Sequence, residues 1–501
     1  MAHQPAAEVD ELQALLDAAP PELALPDARA RIAADNRRAN RRIGVLDDDP
    51  TGSQSVHGVQ VVTVFDQAEY RSALTDPGSV CFVLTNSRSL DEAEARTLNH
   101  RVSADLYALE PEHGGITEIV SRSDSCLRGH VLAEIQELGT ASEQVAGRSV
   151  DGVLFVPSLF SAGRFTLGDV HYAVVDGHPT PVAQTEYAQD ATFGYTRSRL
   201  ADFLAEKSGG TIDADAVLSI SLEVIRSGGP EAVAAILRRA ARRQWIVVNA
   251  LSDHDLDVVV LGLVIARRGG QTFLYRSGPS FVRALAGIEP RPPLGATDFG
   301  CAPEGTGYGL VVVGSHTQST TAQLEVLRRR SSPAEFELDV TALLDPGTRA
   351  EHIRQSAQAV TEAVRHRDVL LATSRSLTRG HDAATSLEIA RSVSAGLVET
   401  VARSRRARPS WVLAKGGITS HDVAVRGLGI TRARVAGQLL PGISLFLPVD
   451  APAAVLQTPY VVFPGNVGGA EAVADAVAVL QESARSPSPP ADPHEPSRAE
   501  E

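Results

Sequence analysis

The sequence predicts an α/β protein with two α/β domains, each built on a mostly parallel sheet. Its length of 501 residues exceeds that of one ordinary domain. Short apolar runs with strand character alternate along the chain with helical stretches, which is typical of parallel sheets. Several of these strands end in loops rich in Asp, Ser, Arg and Gly. Such loops share one edge of a parallel sheet, where α/β proteins bind their ligands.

The boundaries follow from changes in composition and periodicity. We expect a helical N-terminal extension over 1–42, a first domain over 43–286, a linker over 287–307, a second domain over 308–482 and a disordered tail over 483–501. The linker is predicted because prolines and glycines replace any periodic pattern there. The tail is predicted because it is rich in Pro, Ser and acidic residues.

Composition narrows the classes of function. The chain carries 61 acidic against 47 basic residues, a net charge of −14, whereas nucleic-acid binders need a basic face. Its longest apolar run, 258–266, is far short of the ~20 residues of a membrane span. The three cysteines, Cys81, Cys126 and Cys301, are far apart, and no signal-peptide pattern opens the chain. We therefore expect a cytoplasmic protein with no nucleic-acid or membrane partner.

The first domain opens on its most informative stretch. A short buried strand is predicted over 43–46, and Asp47, Asp48 and Asp49 follow it directly. Adjacent carboxylates repel one another, so they persist most easily where a metal, a cation or hydrogen bonds compensate them. The alternative is a solvated acidic turn, which needs no function.

Later strands of this domain bring further polar residues to the same predicted edge. The candidates are Asp47, Asp48, Arg88, Asp124, Ser125, Arg128 and Arg164. Arginines bind carboxylates through forked hydrogen bonds. Aspartates and serines suit polyhydroxylated ligands, and an aspartate can accept a hydroxyl proton. This mixture predicts a sugar acid, although a surface ion pair is the favoured interpretation of any one arginine alone.

In the second domain, three predicted strands each end in a Gly/Ser/Thr turn before a helix. Backbone N–H groups at such turns bind phosphate. Lys415 precedes the pair Gly416 and Gly417 in one of them and could add a positive charge, while Thr419 could donate a hydroxyl. Any one turn alone is more often an ordinary tight turn. Neither a P-loop nor a Gly-x-Gly-x-x-Gly fingerprint occurs.

Several stretches, taken in order, resemble the four-carbon acid sugar kinase family, which includes tetronate and 3-oxo-tetronate kinases. The matching stretches are Asp47-Asp-Asp-Pro-Thr-Gly52, Thr85-Asn-Ser-Arg88, Arg122-Ser-Asp-Ser-Cys-Leu-Arg-Gly129, 157–168, Thr185-Glu186 with Asp190, Gly314-Ser315, Gly416-Gly-Ile-Thr-Ser420 and Gly465-Asn-Val-Gly468. The resemblance spans roughly residues 43–480. It implies an N-terminal sugar-acid domain and a C-terminal nucleotide-binding domain.

The resemblance also implies roles for residues. Those similar to the family's ATP-contacting positions are Ser315, Gly416, Gly417, Ile418, Thr419 and Gly465; those similar to its sugar-acid positions are Asp47, Asp48, Arg88, Asp124, Ser125 and Arg128. Ile418 stands where the family often has an acidic residue, which would change metal or ribose contacts. Phe463 and Pro464 stand where it often has Lys-Ser, Arg122 where it often has Lys, and Asn249 where Asp is common.

Our hypothesis from the sequence is an ATP-dependent kinase that phosphorylates the terminal hydroxyl of a short sugar acid, with Mg²⁺ bridging the phosphates. Arg88, Arg128 or Arg164 would bind the carboxylate, and Asp48 or Asp124 would take the hydroxyl proton. A homodimer is the assembly considered, and the metal ligands stay open.

Two other functions are weighed against this one. Asp47-Asp-Asp-Pro-Thr51 also fits the start of a haloacid-dehalogenase-like phosphatase, with Asp47 as nucleophile and Asp49 as acid. A non-catalytic sugar-acid or nucleotide sensor that kept the fold would be consistent with the departures at Ile418 and Phe463. Hydrolysis of a phosphate ester without ATP would favour the phosphatase, and ligand binding without turnover would favour the sensor.

Overall fold

The chain divides into two compact units between Arg291 and Pro292. The computed structural model describes residues 13–14, 16–49, 51–175, 177–301, 304–315, 317–374, 383–465 and 467–485. Most of the expected tail, from 486 onward, and the first twelve residues of the expected extension lie outside the described residues.

The first unit is built on an eight-stranded parallel sheet with the order β2-β3-β1-β4-β11-β5-β10-β9. The strands of this unit are β1 (Arg41–Asp47), β2 (Gln60–Val62), β3 (Val80–Leu84), β4 (Ile116–Arg122), β5 (Gly152–Val156), β6 (Arg164–Leu167), β7 (Val170–Val175), β8 (His178–Pro181), β9 (Leu218–Ile220), β10 (Gln244–Val248) and β11 (Phe273–Ser277). Strands β1, β3, β5 and β11 are buried throughout, as expected of a parallel sheet covered on both faces.

Helices pack against this sheet. They are Ala28–Arg38, Gln67–Ala73, Glu92–Tyr107, Glu110–His113, Val131–Gln144, Leu200–Lys207, Leu222–Arg226, Gly229–Leu237, Asp253–Arg268 and Pro279–Ala286. The two longest begin at capping boxes, in which Asp91 pairs with Glu94 and Ser252 with Asp255. Each box satisfies backbone N–H groups that the first helical turn leaves without partners.

Two features of the first unit differ from the sequence expectations. Strands β6, β7 and β8 form a separate antiparallel sheet, which the sequence did not predict. The main sheet also begins at Arg41, inside the expected extension, because Arg41 and Arg42 pair in register with β4. The sequence did not predict this part of the strand, because Arg41 and Arg42 are charged and buried strands are usually apolar.

The second unit is built on a seven-stranded mixed sheet. Its strands are β12 (Leu310–Val313), β13 (Ala334–Leu338), β14 (Val369–Thr373), β15 (Val412–Lys415), β16 (Arg432–Leu440), β17 (Ile443–Asp450) and β18 (Tyr460–Phe463). The order is β13-β14-β12-β15-β18-β17-β16, and the first five strands are parallel. Strands β16 and β17 form an antiparallel hairpin that the sequence analysis did not predict.

The helices of the second unit are Gln318–Ser331, Val340–Leu344, Arg349–Ala363, Ala383–Ser404, Gly417–Asp422 and Ala472–Arg485, and a π-helix spans Val423–Leu428. The last helix continues three residues into the expected tail. Within the stretch expected as a linker, Leu294 and Phe299 are buried in the core of this unit. The Leu294 N–H donates to the Gln438 carbonyl at 2.7 Å, so this stretch packs onto the unit and is not a free connection.

None of the described helices is long and apolar enough to cross a membrane.

Candidate active site

The register of the first sheet sets the position of the acidic cluster. Asp47, the last residue of β1, lies opposite Leu84 of β3 on one side and Arg122 of β4 on the other. Asp47 is fully buried and forms an ion pair with Arg122. The Arg122 guanidinium also lies 3.6 Å from Asp48 and donates to the Asp49 carbonyl at 2.8 Å. Asp47 therefore anchors the turn, and its carboxylate is not presented to solvent.

This placement argues against the phosphatase alternative. That alternative needs Asp47 as a nucleophile open to a phosphate ester. A fully buried carboxylate paired with Arg122 is not open in this way.

Arg88 joins three carboxylates at the edge of the sheet. Its Nη2 lies 3.0 Å from Asp48 and 3.2 Å from Asp49, and its Nη1 lies 3.9 Å from Asp124. Burial alone would lower the pKa of Arg88, but these carboxylates raise it. Its positive charge is thus shared among protein groups, which leaves it less suited than other arginines to bind the carboxylate of a ligand.

The pKa values of Asp48 and Asp124 shift in opposite directions although both carboxylates contact Arg88. Burial raises the pKa of Asp48 to about 7, against the opposing effect of Arg88. For Asp124, burial also acts to raise the pKa, but Arg88 and Arg128 lower it overall. The Asp48 Oδ2 atom, like Oδ2 of Asp47, is buried and has no hydrogen-bond partner among the described residues. The near-neutral pKa is therefore the property that distinguishes Asp48 as a candidate general base.

Arg128 and Arg164 meet at an aromatic ring that the sequence analysis missed. Their guanidinium carbons lie 5.3 Å and 5.6 Å from the centre of the Tyr187 ring, and Arg164 Nη2 donates to the Tyr187 hydroxyl at 3.2 Å. Arg128 also donates from Nε to Asp124 at 2.7 Å. The two guanidinium groups are partly exposed, so they form the positive part of this site that an anionic ligand can reach.

The backbone carbonyl of Ser125 is hydrogen-bonded to a neutral histidine, His171. The Ser125 carbonyl lies 2.8 Å from His171 Nε2, and the Thr166 hydroxyl lies 3.0 Å from Nδ1 of the same ring. A carbonyl only accepts, so Nε2 carries the proton and Nδ1 accepts from Thr166. Burial lowers the pKa of His171 to about 4, which keeps the ring neutral. This contact ties the loop of Asp124 and Ser125 to β7.

A second group of polar residues is buried near Asp48, and the sequence did not predict it. Glu134 and Arg276 are both buried and form an ion pair. Ser87 and Ser121 each donate to a different Glu134 oxygen at 2.7 Å. The only sequence signal was a charged residue inside an otherwise apolar strand (Arg276) or on the inner face of a helix (Glu134).

In the second unit, the ends of β12, β15 and β18 come together. A Cβ at Gly314 would lie 2.2 Å from Thr419 Oγ1, and a Cβ at Gly416 would lie 3.2 Å from the same atom. A Cβ at Gly465 would lie 3.9 Å from Ser315 Oγ. Four of the expected nucleotide-binding residues therefore converge: Ser315, Gly416, Thr419 and Gly465.

The two remaining expected residues of this turn are open to solvent. A Cβ at Gly417 would have no neighbour within 4 Å, and Ile418 is 65% exposed. Gly416 has a φ of 117°, which favours glycine, and it precedes the helix Gly417–Asp422. The turn thus leaves backbone N–H groups next to a solvent-exposed apolar side chain.

Lys415 does not reach solvent, contrary to the expectation that it adds a charge for phosphate. It is fully buried, and its Nζ donates to the carbonyls of Pro464 at 2.7 Å and Gly465 at 3.1 Å. The ammonium lies 4.2 Å from the centre of the Phe463 ring. Burial lowers the pKa of Lys415 to about 8. Lys415 therefore positions the turn after β18 and is not directed at a ligand.

Gln323, which the sequence analysis also missed, holds the following turn. Its Nε2 lies 3.2, 3.0 and 3.1 Å from the carbonyls of Val467, Gly468 and Gly469. No motif marks Gln323, because its role comes from three backbone groups that are more than 140 residues away in the chain.

Metal binding is not apparent in the side chains. Over the part of the chain that the structure describes, no group of three or more His, Cys, Asp or Glu residues is arranged to hold an ion. Asp47, Asp48 and Asp49 do not fit a divalent cation, because each lies next to an arginine guanidinium.

Comparison with known proteins assigns different domain models to the two units. Residues 43–285 match the model of a sugar-binding N-terminal domain, and residues 310–473 match that of a nucleotide-binding C-terminal domain. The chain is 27% identical over 336 residues to a D-erythronate kinase from Heliobacterium modesticaldum, covering 65% of this chain and 69% of that protein.

Two solved structures share the fold. A protein from Salmonella typhimurium LT2 superposes with a TM-score of 0.64 at 18% identity, covering 87% of this chain and 98% of its own. A Haemophilus influenzae protein superposes with a TM-score of 0.58 at 17% identity, covering 87% and 100%.

These domains define a protein that pairs a sugar-binding α/β unit with a nucleotide-binding one. The chain belongs to the four-carbon acid sugar kinase family.

Proposed function

We propose that this protein is an ATP-dependent kinase that phosphorylates the terminal hydroxyl of a four-carbon or similarly short sugar acid, such as a tetronate or a 3-oxo-tetronate. The observation that carries the proposal is Asp48, a buried carboxylate with one oxygen unpaired and a pKa near 7 beside arginines that an anion can reach. The D-erythronate kinase relative makes a tetronate the first substrate to try.

Asp48 is the proposed base. The substrate hydroxyl oxygen forms a bond to the γ-phosphorus of ATP, and the bond from that phosphorus to the β,γ-bridging oxygen breaks. ADP leaves, and the hydroxyl proton passes to Asp48. Phosphoryl transfer depends mostly on positioning and charge neutralisation, so one aligned base and a set of cations are sufficient.

Arg128 and Arg164 are the proposed ligands of the substrate carboxylate. Arg88, the third arginine considered from the sequence, has its charge taken up by Asp48, Asp49 and Asp124. Asp124 keeps a lowered pKa, so its proposed role is to hold Arg88 and Arg128 in place. Asp47 holds the turn through Arg122, and Ser125 lines the loop next to it.

The nucleotide is proposed to bind at the turns of the second unit. Ser315 and Thr419 offer hydroxyls, and Gly416, Gly417 and Gly465 let backbone N–H groups approach the phosphates. Ile418 offers an exposed apolar surface, and Lys415 acts indirectly by fixing the turn that carries Gly465.

Mg²⁺ is proposed to accompany the nucleotide. When bound, it neutralises charge on the phosphates. Such ions keep several waters and take much of their coordination from phosphate oxygens, so no side chain is assigned to it here.

The test is ADP release from Mg-ATP in the presence of erythronate, threonate and their 3-oxo forms. Turnover with one acid, absent without the acid and lost in Asp48→Asn, supports the kinase and names its substrate. ATP that raises the melting temperature without any turnover across a wider acid panel would instead support the sensor function.

Two further expectations accompany the proposal. All three cysteines are free, in keeping with a cytoplasmic location. A homodimer is the expected assembly, and light scattering of the purified chain measures it directly.

A further inference from the structure

The buried layer beneath Asp48 points to residues that act on the proposed base without touching the substrate. Arg88 contacts Oδ1 of Asp48 at 3.0 Å, whereas Oδ2 is buried and has no hydrogen-bond partner in the part of the chain that the structure describes. Nη2 of Arg276 is also buried and has no hydrogen-bond partner among the described residues. Each of these two charged groups thus keeps one buried atom without a hydrogen bond, although Asp48 is paired with Arg88 and Arg276 with Glu134.

Gly129 locates these two atoms relative to each other. A Cβ on residue 129 would lie 3.0 Å from Arg276 Nη2 and 3.0 Å from Asp48 Oδ2. Both atoms therefore lie close to the position that a side chain of residue 129 would occupy, and so close to each other. Gly129 also has a φ of 113°, a conformation that other residues rarely adopt.

Arg276 is held in this position by a closed set of contacts. It forms its ion pair with Glu134, and its Nη1 donates to the Ser121 hydroxyl at 2.7 Å. Ser121 and Ser87 in turn donate to the two oxygens of Glu134. An arginine fixed in this way costs little reorganisation when the charge on Asp48 changes.

We propose that Arg276 and Glu134 are positioning residues for Asp48, with Arg276 facing the unpaired Oδ2 oxygen from beneath and Glu134 fixing Arg276. The inference rests on the proposed function, because it takes Asp48 as the base. It adds that a buried ion pair, remote from solvent, sets the orientation and the charge of that base.

Charged groups face Asp48 from every neighbouring element. They are Asp49 in the same turn, Arg88 after β3, Arg122 at the end of β4, Glu134 in the helix Val131–Gln144 and Arg276 in β11. Arg88 and Arg276 lower the pKa of Asp48, whereas Glu134 and Asp49 raise it, against a background in which burial is the largest effect. Removing Arg276 and removing Glu134 should therefore have opposite effects.

The experiment measures kcat/KM for the sugar acid against pH in Arg276→Gln and Glu134→Gln. We expect the acidic limb to move to higher pH in Arg276→Gln and to lower pH in Glu134→Gln, each by roughly one pH unit. Arg276→Lys, which keeps the positive charge, should restore most of the wild-type limb. KM for ATP should change little in all three.

Arg267→Gln is the matched control. Arg267 is another buried arginine of the same unit, but its partners are Glu118 and the Tyr275 hydroxyl. Its substitution should lower the melting temperature without moving the limb. General damage to the fold would move the acidic limb in the same direction in all three variants, Arg276→Gln, Glu134→Gln and Arg267→Gln.

A second measurement keeps the inference separate from the proposed function. In protein labelled with ¹³C at aspartate carboxyls, the Asp48 signal is assigned by its absence in Asp48→Asn, and its titration needs no turnover. Opposite shifts in the two variants support the inference even if no sugar acid is a substrate. An unchanged Asp48 titration, or shifts of the same sign, overturns it even if the wild type is an active kinase. Where Arg276→Gln does not fold, Glu134→Gln and Arg276→Lys decide the outcome alone.

Discussion

The carboxyl edge of the first sheet carries charged side chains, whereas the ends of β12, β15 and β18 in the second unit carry glycines and hydroxyls. At the first edge, Asp48, Arg88 and Asp124 form one connected ion network. At the second, the single lysine is turned inward onto two carbonyls. We therefore expect one unit to bind its ligand through side-chain charge and the other through its backbone.

This difference indicates where the chemistry and the specificity should lie. Charged side chains can take a proton and recognise a carboxylate, so substitutions in the first unit should alter turnover and the choice of acid. Backbone turns bind phosphates of any nucleoside triphosphate. Substitutions in the second unit should therefore alter nucleotide affinity and leave the proton transfer unchanged.

The largest expected effect is on turnover in Asp48→Asn. Loss of a general base lowers kcat by roughly 10²- to 10⁴-fold. Steady-state ADP release measures it, and KM for ATP should stay close to wild type. Asp124→Asn should act mainly on KM for the acid, because Asp124 holds Arg128. Near-normal turnover in Asp48→Asn would exclude Asp48 as the base.

Arg164→Gln tests the proposed binding of the substrate carboxylate in the first unit. Hydrogen bonds to charged groups contribute about 1.5–3 kcal/mol, so KM for the sugar acid should rise roughly 10- to 150-fold. KM for ATP should not change. Arg71→Gln is the control, since Arg71 forms an exposed ion pair with Glu112. Equal effects of the two substitutions would argue against a specific clamp.

Gly314→Ala tests the second unit. The added Cβ would lie 2.2 Å from Thr419 Oγ1, and overpacking of this kind costs roughly 1–3 kcal/mol. We expect weaker nucleotide binding by calorimetry and an unchanged acidic limb of the pH profile. Gly469→Ala is the control, because a Cβ there would have no neighbour within 4 Å. A shifted limb in Gly314→Ala would contradict the division between the two units.

A further effect concerns stability. Burial raises the pKa of Asp48 from 3.8 to about 7, so the folded state holds this proton more tightly than the unfolded chain. The contribution of Asp48 to stability is therefore fully present below pH 4 and is lost as the pH rises through 7. Asp48→Asn avoids this loss, and its melting temperature relative to wild type should increase between pH 4 and pH 8. A constant difference in melting temperature over that range would mean that the pKa of Asp48 is not raised in the folded state.

The sequence predicted the α/β class and the edge of the first sheet, because strand–helix alternation and the position of Asp47 to Asp49 after a strand are local patterns. It did not predict the antiparallel strands β6 to β8, which pair with one another in a separate small sheet. Domain architecture agrees with the family models, whereas the roles of individual site residues stay predictions.

The missed residues share one physical cause. Arg276, Glu134 and Gln323 act through partners distant in the chain, and Tyr187 through two guanidinium groups that only the fold brings together. The prediction that Lys415 faces a phosphate was wrong for the opposite reason. Its sequence neighbours are glycines typical of a phosphate-binding turn, but the burial of its side chain is decided by Phe463 and the turn after β18.

The most direct test of the account is the pH dependence of kcat/KM for the sugar acid in wild type and Asp48→Asn. We expect the wild-type value to fall tenfold per pH unit below about pH 7, following the pKa of Asp48. The residual activity of Asp48→Asn should lack this limb. A wild-type profile that is flat between pH 5 and pH 8, or the same limb in Asp48→Asn, would contradict the assignment of Asp48 as the base.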